Sequence, residues 1–158
     1  MKIMPIWGTY ESEAAKILRK KMPIIEKMEE GAMTMGLDTY IVMCKNKHQL
    51  ENEGFWDNCV TGWKRDKYDG IDYTQPAEVY YARKFWDLYS PAARRFNLEN
   101  GEWSDPLTKE DIEFLIDLAT HNRDYFGGFD TVPKLCEILD NYDYATDAGM
   151  IFSFSGNY

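Results

Sequence analysis

The sequence predicts an α+β fold: one domain, with a small, mainly antiparallel sheet packed by about four helices. Three observations carry this. Residues 37–44 and 150–155 are β-rich runs whose side chains alternate. Four other stretches repeat apolar residues at steps of three and four, the period of a buried helix face. The chain has 158 residues, 44% hydrophobic and 15% aromatic, which suits one core, and no Gly/Ser/Pro linker splits it.

Residues 1–8 form an apolar lead with Ile3, Ile6 and Trp7, read as an edge strand. Ala14, Leu18, Met22, Ile25 and Met28 place a helix over 11–30. Pro23 kinks it, because a mid-helix proline removes one backbone bond and crowds the preceding turn. Gly31 ends it, so residues 1–34 read as a helical extension. In 37–44, Tyr40, Val42 and Cys44 alternate with Thr39, Ile41 and Met43. Apolar side chains on both faces imply an inner strand covered by helices.

Residues 45–53 read as a polar loop. Asp69-Gly70 supplies the positive φ angles of a tight hairpin turn, with arms over 63–66 and 71–73. Pro76, at a first helical position, opens a helix over 76–89 traced by Val79, Tyr80, Arg83, Trp86 and Asp87; Ser90-Pro91 ends or bends it. A loop follows over 97–106. Thr108 caps a helix over 108–121, with Asp111 in the capping-box position and Ile112, Leu115, Ile116 and Ala119 as the buried stripe. Gly127-Gly128 breaks the chain. The last helix, 132–142, turns Leu135, Ile138, Leu139 and Tyr142 inward, and 150–155 closes the sheet beside 37–44, the two strands lying centrally.

The formal charge is −9, from 18 basic and 27 acidic residues. Its distribution is uneven. Through Phe96 there are 15 bases and 14 acids; from Asn97 onward there are 3 bases and 13 acids. Such a field repels a phosphate backbone, so direct nucleic-acid binding is not expected, and it draws in a basic surface. No run approaches the roughly 18 apolar residues of a membrane span. Lys2 and its short apolar lead do not read as a signal peptide. Three cysteines are too few and too odd in number for a disulfide framework, which points to a reducing cytoplasm.

No metal or other cofactor is expected. Cys44, His48 and Cys59 lack the paired spacing of a zinc site, and Asp66, Asp69 and Asp72 recur without the alternation and closing glutamate of a calcium loop. No nucleophile elbow, phosphate loop or dinucleotide fingerprint is present, and a non-enzymatic role is expected. Two features remain. Glu110, Glu113 and Asp117 recur off the apolar stripe of their helix, and Glu137 and Asp140 repeat the pattern on the last helix, with Asp143 and Asp147 just beyond it. Tyr80, Tyr81, Phe85, Trp86 and Tyr89, placed on one helix, exceed what one stripe can bury, so some should anchor an interface or line a pocket.

Met35-Gly36-Leu37-Asp38-Thr39-Tyr40-Ile41 resembles the opening of a family of small bacteriophage proteins that begin Met-Gly-Leu-Asp-Met-Tyr-Leu. Glu78-Val79-Tyr80-Tyr81-Ala82-Arg83-Lys84-Phe85-Trp86 is similar to a later family stretch with Glu and then Tyr-Trp-Arg-Lys. Residues 151–158 are similar to its aromatic, serine-bearing final strand. Trp86 and Tyr89 stand where the family has Asn and His. The resemblance spans roughly 35–158, implies phage or prophage origin and supplies no activity.

These features yield an expected function. A phage-type binding protein would inhibit a host defence complex, as anti-CRISPR proteins do. It would present Glu110, Glu113, Asp117, Glu137, Asp140, Asp143 and Asp147, with Tyr80, Arg83 and Trp86 as further contacts, to a basic nucleic-acid-binding groove. The partner would be a host protein with a basic surface, a CRISPR effector or other nuclease. The alternative is a small-molecule binder or enzyme with an aromatic pocket around Tyr80, Arg83 and Trp86.

Overall fold

Strand β1 (Asp38–Cys44) forms where the sequence places it, and its two faces organise the molecule. The structure, a computed structural model, describes residues 36–122 and 130–158. After β1 come α1 (Lys47–Leu50), a 3-10 turn (Phe55–Asn58), β2 (Val60–Thr61), β3 (Ala77–Arg83), α2 (Trp86–Phe96), α3 (Lys109–His121), α4 (Thr131–Asp147) and β4 (Ile151–Asn157). The strand expected over 1–8, the helix over 11–30 and the break at Gly127-Gly128 lie outside the described residues.

The sheet order is β2-β3-β1-β4. β1 pairs antiparallel with both β3 and β4, and β2 adds two residues parallel to β3. The fold is thus α+β with a mostly antiparallel sheet. The sequence reading places β4 centrally, but it is the last strand, and residues 101–107 cover its outer edge. Gly101 N–H donates to Gly156 O (2.8 Å), Ser104 N–H to Phe154 O (2.9 Å) and Leu107 N–H to Phe152 O (2.8 Å). Such a cover removes the hazard of an open edge.

The expected helix over 76–89 is instead β3, a turn through Lys84 (φ 57°) and helix α2. Ser90-Pro91 does not end that helix; Pro91 lies inside it. A bulge hides the strand period in this stretch. Ile41 pairs with Tyr80 and Val42 with Glu78, so Val79 is the extra residue, and Val79 and Tyr80 are buried in succession. A bulge inserts one residue and breaks the period of two. The expected loop over 45–53 contains α1, capped by Asn46, whose side chain accepts from Gln49 N–H (2.9 Å).

Helices α2, α3 and α4 cover one face of the sheet. The main core there includes Ile41 and Met43 of β1, Tyr80 and Ala82 of β3, Phe152 and Phe154 of β4, and Leu88, Leu115, Leu135 and Ile138 of the helices. A smaller cluster, Val42, Cys44, Leu50 and Phe55, lies on the opposite face beneath α1 and the 3-10 turn. Thr39 is fully buried, opposite Ala82 and Gly156, and its Oγ1 has no hydrogen-bond partner among the described residues. An unpaired buried hydroxyl costs about 1–3 kcal/mol. Thr39→Val, nearly equal in shape, is therefore expected to stabilise the fold by about 1 kcal/mol in urea denaturation; a less stable variant would show that the hydroxyl is bonded.

The capping box is present: Asp111 N–H donates to Thr108 Oγ1 (3.1 Å) and Thr108 N–H to Asp111 Oδ2 (2.9 Å). Arg95 Nε reaches the other Asp111 oxygen at 3.0 Å, tying α2 to α3. Burial works to raise the Asp111 pKa, but the Thr108 bonds and the Arg95 guanidinium outweigh it and hold the carboxyl below its ordinary 3.8. A depressed native pKa means stability that is present above the unfolded value and lost as pH falls through the native one. The stability gap between the parent and Asp111→Asn should accordingly be open at about pH 7 and close below about pH 4. A gap constant down to about pH 2 would assign the effect to geometry alone.

The last helix runs to Asp147, five residues past the expected end, and closes in a Schellman motif. Met150 N–H donates to Ala145 O (3.0 Å) and Gly149 N–H to Thr146 O (3.0 Å), with Gly149 at φ 86°.

Candidate functional site

The longer α4 places all four of its acids on one helix. Glu137, Asp140, Asp143 and Asp147 are exposed and face away from buried Leu135, Ile138 and Ala145. Glu110, Glu113 and Asp117 are exposed on α3, off buried Ile112, Leu115 and Ala119. The two helices lie side by side and antiparallel: Lys109 at the start of α3 meets Asp143 near the end of α4 (2.8 Å), and Tyr142 OH donates to Leu107 O (2.8 Å). The two acidic rows therefore share one outer face of the helical layer.

Neutralisation is partial. Lys109 pairs with Asp143, and Lys134 with Asp130 (3.3 Å). His121 lies 3.3 Å from Asp117 and is a counter-charge only when protonated. Glu113, Asp140 and Asp147 form no ion pair among the described residues, and Glu110 feels Lys109 only at longer range. The field of this face is negative, with the acids held on rigid helices.

An aromatic contact sits within the acidic arc. Tyr144, 66% exposed, stacks on Tyr73 at 6.1 Å and 18°. Tyr73 comes from the segment after the Asp69-Gly70 turn, where Arg65 bridges Ile71 and Asp66 Oδ1 accepts from Tyr68 and Gly70 N–H (both 2.8 Å). This segment is fastened to α4 by two side-chain bonds. Tyr73 OH donates to Asn141 Oδ1, and Trp63 Nε1–H donates to Glu137 Oε1 (2.9 Å). Trp63 meets Tyr73 edge-on at 6.3 Å. Tyr144 is thus a ring fixed from behind and open in front, flanked by carboxylates of its own helix.

Tyr80, Arg83 and Trp86 are not brought together on one surface. Tyr80 and Trp86 are buried in the core on the helix side of the sheet, whereas Arg83 is exposed and shares the other side with Asp38. Nothing in the sequence pattern marks Tyr144, Tyr73 and Trp63 as site residues. Tyr144 lies four residues after Asp140 and seven after Glu137, so that spacing alone locates it once the helix is carried past Tyr142. Both histidines are exposed. Burial pushes the Cys44 thiol up to about 12 and the Cys59 thiol to about 11, so both are protonated at neutral pH.

No described helix is long and apolar enough to cross a membrane. Comparison with protein-family models, curated proteins and solved structures gave no match.

Proposed function

We propose that this is a phage-type binding protein that docks the outer face of α3 and α4 on a basic surface of a nucleic-acid-handling host protein and inhibits it by occupying its groove. A CRISPR effector or another nuclease has the required surface. The observation that carries this reading is the exposed Tyr144 ring, backed by Tyr73 and set among Glu137, Asp140, Asp143 and Asp147. Carboxylates in rows complement arginines and lysines that otherwise hold phosphates, and they speed encounter with such a surface. A rigid, exposed tyrosine is the residue type that carries interface energy. Binding, not catalysis, is the role this chemistry favours.

The test is affinity for a partner captured from host lysate, measured across ionic strength and against duplex DNA as competitor. Binding should weaken steeply with salt, and the DNA should displace the protein. Binding indifferent to both rejects the reading.

A further inference from the structure

The side of the sheet facing away from α2, α3 and α4 carries a second aromatic surface. The β-register places Tyr40 between Tyr81 on β3 and Ser155 on β4, and Asp38 between Arg83 and Asn157. Trp56, from the 3-10 turn, and Trp103, which bridges to Ser155, come in beside Tyr40. Its ring centroid lies 5.4 Å from Tyr81, 5.7 Å from Trp56 and 6.4 Å from Trp103, and the two indoles are 6.1 Å apart. These are contact spacings, so the rings form a continuous layer with no slot between them. A ligand can only lie on top.

The top is open. Trp56 is 45% and Tyr81 43% exposed. An open, flat surface suits a side chain presented by another protein better than a free small molecule, whose sites are concave. Its charge selects the sign of that side chain. Asp38 accepts from Tyr81 OH (2.6 Å) through one oxygen, and Glu78 lies on the same face in the next register pair. Both carboxylates raise the Tyr40 pKa, after burial, the larger cause. Asp57, exposed, follows Trp56; of the cations nearby, Lys47 is engaged by Asp105 (3.2 Å) and Arg83 stands opposite Asp38 at the edge of the layer. The cation–π contacts among the described residues are elsewhere, on Tyr68, Phe114 and Tyr142.

We propose that this layer is a second binding surface, on the opposite side of the sheet from α3 and α4, for an arginine guanidinium displayed by a protein partner. Guanidinium is the cation whose plane stacks on indole and phenol faces while its edge donates to carboxylates. Asp38 stands at the rim of the layer to accept those donors. Negative charge around the rings disfavours nucleic-acid bases, which bring phosphates with them. The surface is independent of the reading given for α3 and α4 and can fail or hold without it.

The test uses the full chain, isotopically labelled, titrated with the peptide acetyl-Gly-Arg-Gly-Arg-Gly-Arg-amide while the indole N–H signals of Trp56 and Trp103 are followed. Saturable shifts of both are expected. The citrulline counterpart, equal in size and uncharged, should bind at least about 10-fold more weakly, and the lysine counterpart several-fold more weakly. Trp56→Ala should lower affinity for the arginine peptide about 10-fold. Asp38→Asn should also lower it, and that variant decides the matter if Trp56→Ala does not fold. Tyr144→Ala should leave the two indole responses unchanged. The proposal is overturned by the absence of saturable shifts, by citrulline or lysine peptides binding as well as arginine, or by variants that bind like the parent. It is equally overturned if the indole signals move with protein concentration alone, which would give the surface to a second copy of this chain.

Discussion

Gly156→Ala is expected to destabilise the protein by about 3 kcal/mol, the upper part of the range for overpacking a core. Gly156 lies on β4 opposite Thr39, on the face that α2 covers. A Cβ built there would stand 2.1 Å from Tyr89 Cε1 and 2.5 Å from Cδ1. Neither side can yield easily. The Tyr89 ring is 3% exposed, stacks on Phe154 at 5.9 Å and 14°, and meets Trp86 and Tyr158 edge-on at 6.1 and 5.8 Å. The backbone at Gly156 is not left-handed, so the expected loss comes from contact alone. Thermal unfolding should fall by about 6–12 °C. In a Tyr89→Ala background, itself destabilised, the same glycine substitution should cost less than about 1 kcal/mol, because the obstructing ring is gone. If Gly156→Ala unfolds within about 0.5 kcal/mol of the parent, the packing of α2 on β4 is not as described.

How much of this architecture can be read from the chain differs from element to element, for physical reasons. β1 is legible because both of its faces are apolar and Thr39, Ile41 and Val42 are β-branched, and the start of α3 because a capping box is a local hydrogen-bond pattern. β3 is not. Val79, Tyr80, Arg83 and Trp86 satisfy helical spacing, while the bulge at Val79 erases the alternation that marks a strand. Its conformation is decided by pairing with β1, an interaction with residues some forty positions away. The acidic rows were legible as rows, since charge and helical period are both local. Their aromatic partner was not, because the end of α4 depends on the Gly149 cap and on Tyr142 reaching Leu107. The rings between Trp56 and Tyr89 are separated by the fold. Trp63 and Tyr73 back α4, Tyr80, Trp86 and Tyr89 enter the core, and Trp56 and Tyr81 join Tyr40 and Trp103 on the far face. Only tertiary structure makes that division.

Glu113→Lys, Asp117→Lys and Asp140→Lys together are expected to weaken partner binding about 100-fold at low salt, mostly through a slower association rate. These residues are exposed, contribute nothing to the core and lie on both helices of the shared face. Asp143 is left alone because Lys109 already answers it. The triple variant should fold with stability close to the parent, since substitutions at exposed sites without special roles usually fall within about 0.5 kcal/mol each. It should also lose most of its salt dependence, for the charges that produce it have been reversed. Tyr144→Ala probes the other half of the face. It should cost about 10-fold or more through faster dissociation, with the salt dependence intact, because a stacked ring acts by contact and not by long-range field. The pattern separates the two roles: the carboxylates set the rate of approach and Tyr144 the lifetime. If the triple variant binds as tightly as the parent, the acidic face is a solvated helix surface and the interface lies elsewhere. If Tyr144→Ala alone is silent, the carboxylates act without an aromatic anchor, and the stacking on Tyr73 serves only to hold the 63–73 segment against α4.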